Sequence, residues 1–240
     1  MNKSNLLGGL IVILVVLFLL LDFYDEYMLS KVAKSLIVPS ITLLYFINVT
    51  RKPKFFSWFL ILFSISEITS FIEYFLVTDF QFDMYYTVGN LFYIAAYCCL
   101  IYHVYKTIDI KRILTNYKIH LIILGLLNAY IIYVLLTIVK PYTFGSYIFY
   151  IEFLYNIVML VLLAISLLSY FNKDNKKSLF MFFGSLSIVF SEVIQVAYYY
   201  ISEKYLLYVV SGLLFIGAFW FYYLYSKAKN ENTFKLTTQV

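Results

Sequence analysis

Eight long apolar runs, parted by short polar or charged stretches, leave this chain few ways to fold. They fall at roughly 6 to 22, 32 to 49, 55 to 77, 85 to 105, 119 to 139, 146 to 170, 178 to 200 and 205 to 226. Most reach the roughly 17 to 25 residues that a spanning helix requires. Of 240 residues, 63% are hydrophobic and 13% charged, where soluble domains average about 45 to 50% and about 25%. The expectation is all-α: a polytopic membrane bundle of eight transmembrane helices. The connectors are too short to hold a soluble domain, so residues 1–226 read as one transmembrane domain and 227–240 as a polar cytoplasmic tail. The first run has no small-residue cleavage pattern before Asp22 and reads as an uncleaved anchor.

The net charge of +5 is explained by topology. Fourteen of the 18 Lys and Arg residues fall on alternate connectors and the two termini, leaving Lys31, Lys34, Lys140 and Lys204 for the other side. The positive-inside rule then places both termini in the cytoplasm of a cell-membrane protein. A basic excess of this origin gives no footprint for nucleic acid, although the same loops suit anionic headgroups. Cys98 and Cys99 are adjacent within the fourth run and offer neither a disulfide framework nor metal-ligand spacing.

Against this apolar background the acids stand out. The third run carries Glu67 and Glu73 among Ser64, Ser66, Thr69 and Ser70, and the seventh carries Ser191, Glu192 and Gln195. An Asp, Lys or Arg at the centre of a membrane helix costs about 2.5 to 3.5 kcal/mol or more, so an intramembrane acid is a functional-site hypothesis by default. Counted from the cytoplasmic starts near Phe55 and Ser178, Glu67 and Glu192 both lie at about 18 to 21 Å. They are level. Glu73 and, on the sixth run, Glu152 fall in the same outer half, with Asn156 one turn after Glu152 and Asn90 in the outer half of the fourth run. A polar cavity opening outward accounts for all four acids; the structural alternative is that each hydrogen-bonds a Ser, Asn or Tyr as interhelical glue.

Other residues are read more plainly. Pro39 lacks a backbone N–H and frees a carbonyl within the second span. Lys34, near the outer end of that run, either snorkels to the headgroups or faces the acids of the third. His103 and His120 lie at the cytoplasmic edge, far from the acids, so no metal or other cofactor is expected. The 26 Tyr and 24 Phe exceed what interfacial belts require, and some of the tyrosines are expected to line an interior cavity.

Four motifs, in order, give the chain a likeness. Lys34-Ser35-Leu36-Ile37-Val38-Pro39, Ile65-Ser66-Glu67, Gly89-Asn90-Leu91-Phe92 and the Gly-led run from Gly184 to Ser191-Glu192 resemble the signatures of the YhhN-like, lysoplasmalogenase-type membrane family. That family is an eight-helix bundle of about this length. Its first Pro in the second helix is Ser35 here, both of its Asp positions are Glu, and its helix-four His falls at Ala95. The resemblance implies cleavage of the vinyl ether bond of a lysolipid, with Glu67 and Glu192 as catalytic pair. Lys34, Asn90, Glu73, Glu152 and Gln195 would surround a single-chain lipid substrate or its water. A non-catalytic lipid-binding protein or a proton-coupled transporter would use the same buried glutamates, although the short broken helices that usually mark a transporter site do not recur in the two halves.

Overall fold

With no water in a hydrocarbon core, each apolar run must close its own backbone hydrogen bonds, and the α-helix does this within one segment. The computed structural model describes residues 3–109, 113, 115–143 and 145–229. Its elements are α1 (Lys3–Phe23), α2 (Tyr27–Ser35), α3 (Ile37–Asn48), α4 (Lys54–Thr69), a 3-10 turn (Ser70–Phe75), α5 (Asp79–Tyr105), α6 (Lys118–Thr143), α7 (Ile148–Lys173), α8 (Lys176–Tyr200) and α9 (Tyr205–Lys227). With α2 and α3 as one span, and α4 with its 3-10 turn as another, eight helices are long and apolar enough to cross a membrane. No strand occurs among the described residues. The molecule is an all-α, multi-pass membrane bundle. The expected polar tail beyond Lys229, and Lys111 and Arg112 of the connector after α5, lie outside the described residues.

Two spans are interrupted, each for a local reason. Between α2 and α3 the ladder breaks at Leu36, where Pro39 has no N–H to give to the Ser35 carbonyl. Ser40 then secures the new start: its N–H and its hydroxyl both donate to the Leu36 carbonyl, at 3.1 and 2.8 Å. The third span was expected to run on as one helix to residue 77, but the α-helix ends at Thr69. Thr69 turns its hydroxyl onto the Ser66 carbonyl at 2.8 Å, and the next six residues tighten into the 3-10 turn. Hydroxyl side chains compete in this way for the carbonyls of the preceding turn.

The helices alternate in direction. Asn48 donates to Ser4 Oγ and to the Tyr223 hydroxyl, each at 2.8 Å, which gathers the start of α1 and the ends of α3 and α9. The end of α5 joins them through His103 Nε2 and the Tyr225 hydroxyl at 2.8 Å. At the far end Tyr142 donates to the Tyr200 carbonyl at 3.4 Å, and Lys31 pairs with Glu73.

Aromatic rings fill the centre. Phe59 and Phe63 of α4 meet Phe219 of α9, Phe59 also meets Tyr222, and Phe56 meets Tyr225; the Phe59 and Phe219 rings are parallel within 5° at 5.8 Å. α9 lies along α8, where Gly184 admits the Tyr222 ring; a Cβ there would stand 2.5 Å from that ring. α1 leaves most of its surface outward, as an anchor facing lipid would, yet buries Ile11, Leu14, Phe18 and Asp22. Asp22 is fully buried beside Ser30, which donates to it at 3.5 Å.

Candidate functional site

Three ionisable side chains from three spans face one another in the body of the bundle. Lys34 comes from the last turn of α2, Glu67 from the last turn of α4 and Glu192 from the second half of α8. The acids facing the Lys34 ammonium are Glu67, Glu192 and, beyond them, Asp22; Lys31 is the other cation in reach. Rather than extending to the headgroups, Lys34 lies over the rings of Tyr208 and Phe215 of α9, at 5.2 and 5.6 Å from their centroids. Cation–π contacts of this kind strengthen where water is excluded.

Each acid has its own tyrosine. Glu67, only 9% exposed, accepts from the Tyr93 hydroxyl of α5 at 2.8 Å. Glu192 faces Lys34 and the Tyr155 hydroxyl of α7, and Tyr155 meets the Tyr97 hydroxyl at 3.5 Å. The neighbouring serines hold the helices in register. Ser66 Oγ donates to the Gly89 carbonyl of α5 at 3.2 Å, and Ser191 Oγ to the Ser211 carbonyl of α9 at 2.8 Å. Two carboxyls with one ammonium balance in charge when one acid carries a proton. Such a group can hold and exchange a single proton, with a tyrosine hydroxyl directed at each acid.

An open groove of about 440 Å³ beside Glu67 is lined by Thr69, Ile72, Leu76, Phe80, Gln81, Met84, Tyr85, Val88 and Gly89, and its exposed wall is nearly all apolar. It adjoins Glu67 through the Ser66–Gly89 bond, one residue away.

The remaining site residues expected from sequence are spread more widely. Glu73 leaves α4 on the 3-10 turn and pairs with Lys31 at the rim, where Lys31 also approaches the Tyr74 ring at 5.9 Å. Glu152 faces Glu192 without a hydrogen bond between them, and Asn156, one turn on, is 3% exposed with its Nδ2 unpartnered. Asn90 spends its amide on the Tyr86 carbonyl of its own helix at 2.8 Å. Gln195 engages Tyr199 on the next turn of α8. Sequence reasoning missed Tyr155, Tyr208, Phe215 and the burial of Asp22. Tyr155 stands beside Glu152 and Asn156, which was a usable signal; Tyr208 was hidden among 26 tyrosines. No family model, curated protein or solved structure matches the chain.

Proposed function

We propose that this chain is a membrane-embedded hydrolase that cleaves the vinyl ether bond of a single-chain lysolipid by carboxylate acid/base chemistry, and that it is a divergent member of the YhhN-like family. The observation that carries the reading is the convergence of Glu67 and Glu192 on one ammonium, Lys34, inside the bundle. The apolar groove that Gly89 lines supports it, because it offers a place for one alkyl chain next to Ser66, the neighbour of Glu67. On this reading the protein sits in the cell (inner) membrane with both termini in the cytoplasm.

The chemistry divides between the two acids much as in glycoside hydrolysis. One carboxyl donates its proton to the outer vinyl carbon, leaving an oxocarbenium ion at the carbon bonded to oxygen. The other carboxylate takes a proton from a water that adds to that carbon and forms a hemiacetal. Collapse moves the hemiacetal proton to the departing oxygen and releases a fatty aldehyde and the glycerophospho-alcohol. One water is consumed and the pair ends with a single proton, its location exchanged. Lys34 supplies the counter-charge for whichever acid is ionised, while Tyr93 and Tyr155 hold the two carboxyls in place.

Aldehyde release from a lysoplasmalogen by the purified chain, measured beside Glu67→Gln, Glu192→Gln and ordinary lysophospholipids, tests the reading. Each variant is expected to keep the fold and lose nearly all turnover. Wild-type rates in both variants would overturn the carboxylate pair. Silence from the folded wild type would turn attention to lipid binding or to proton-coupled uptake in proteoliposomes.

A further inference from the structure

A second group of ionisable side chains sits at the end of the bundle where α5, α7 and α9 finish, and the acid pair makes no use of it. His103, from the last turn of α5, shares a 2.8 Å hydrogen bond between its Nε2 and the Tyr225 hydroxyl of α9. The Phe56 ring of α4 lies 5.7 Å from the imidazole, tilted by 54° to it. The charged groups that face His103 are Lys177, from the first turn of α8, and Lys173, from the last turn of α7. Lys177 stands over the Tyr225 ring at 5.2 Å, so the imidazole and this ammonium are organised around the same tyrosine. Lys173 and Lys177 also face each other.

Both lysines are part-buried, and among the described residues neither has a carboxylate within ion-pair distance. Like charges withdrawn from water and held together repel one another, and an anion seated among them reverses the sign of that interaction. The residue types narrow the anion. Two flexible ammonium groups and an imidazole, brought by the ends of three helices, offer several donors, which suits a phosphate with several acceptor oxygens better than a planar carboxylate. The position narrows it as well. Basic pockets between helices at the membrane edge are where lipid phosphates are held.

We propose that Lys173, Lys177 and His103 form a phosphate-binding site at this edge of the bundle. It is built from residues separate from Glu67 and Glu192 and stands whether or not the chain is a hydrolase. A phosphodiester of a phospholipid headgroup and free inorganic phosphate present the same chemistry, and the experiment separates them.

The full chain is reconstituted in phosphatidylcholine nanodiscs with and without a minority of phosphatidylglycerol, and thermal unfolding is followed with and without inorganic phosphate. Phosphatidylglycerol is expected to raise the midpoint of the wild type and of Lys204→Gln, whose charge lies at the opposite end. Lys173→Gln and Lys177→Gln are expected to lose most of that rise and to bind about tenfold more weakly, the scale of one lost charge-assisted hydrogen bond, while Lys173→Arg and Lys177→Arg keep it. An equal rise with inorganic phosphate alone, removed by the same Gln variants, assigns the site to the free ion. A rise that both Gln variants retain, or none in the wild type with either probe, overturns the proposal. A readout independent of variant folding is the imidazole resonance of His103 in histidine-labelled wild type, which must move when phosphatidylglycerol is added. An unmoved resonance counts against the site.

Discussion

Removing the Lys34 ammonium leaves Glu67 and Glu192 without the cation that faces both, and a buried charge left without its counter-charge is destabilising. Lys34→Met is therefore expected to lower the unfolding midpoint in detergent, and Lys34→Arg to lower it far less. Adding Glu67→Gln to Lys34→Met is expected to recover part of the loss, since it deletes one of the two orphaned acids; a thermal or SDS-unfolding double-mutant cycle measures the coupling. Tyr93→Phe removes the donor to Glu67. A hydrogen bond to a charged group contributes about 1.5–3 kcal/mol, so on the hydrolase reading aldehyde release is expected to fall by about tenfold or more with the fold intact. The acids were legible in sequence because a carboxylate in an apolar run is conspicuous. Lys34 was ambiguous for a physical reason. It lies about 10 Å into its helix at 1.5 Å per residue, a depth from which a lysine reaches either the headgroups or a buried partner. Neighbours from distant spans decide between them, and those spans become neighbours only on folding.

At the scale of helices, hydropathy gave the eight spans and their order, but it is blind to where a ladder breaks inside a span. The Pro39 break could be read from the missing N–H. The 3-10 ending of the third span could not, because it depends on which carbonyl the Thr69 hydroxyl selects. Packing between elements was hidden as well, and glycine tests it. A Cβ at Gly184 would lie 2.5 Å from the Tyr222 ring, which is fully buried and has no room to withdraw. Gly184→Ala is accordingly expected to destabilise by about 1–3 kcal/mol, the usual range for overpacking. At Gly217 of α9 nothing stands within 4 Å of an added Cβ. Gly217→Ala is expected to be neutral or to stabilise by about 0.5–1 kcal/mol through lower backbone entropy in the unfolded chain. Unfolding midpoints of the two variants in one detergent compare them directly, and equal midpoints would mean that α8 and α9 do not pack through Gly184.

For the molecule as a whole, the proposed orientation rests on two facts taken together. The side-chain bonds from Asn48 to Ser4 and Tyr223, and from His103 to Tyr225, place the start of α1 and the ends of α3, α5 and α9 at one end. The sequence places 14 of its 18 Lys and Arg residues on that end's connectors and termini, and a bias of this kind sets which end stays in the cytoplasm. The proposed orientation is checked with cysteines introduced singly after Cys98 and Cys99, both within α5, are changed to serine. Lys204→Cys, in the connector between α8 and α9, is expected to react with a membrane-impermeant maleimide in intact cells. Lys54→Cys, at the start of α4, is expected to react only after permeabilisation. The reverse pattern would invert the bundle, so that the groove beside Glu67 would draw its lipid from the cytoplasmic leaflet and the Lys173–Lys177 cluster would face the outer one. Either result fixes which leaflet must supply the substrate in the aldehyde assay and the phosphatidylglycerol in the nanodisc titration.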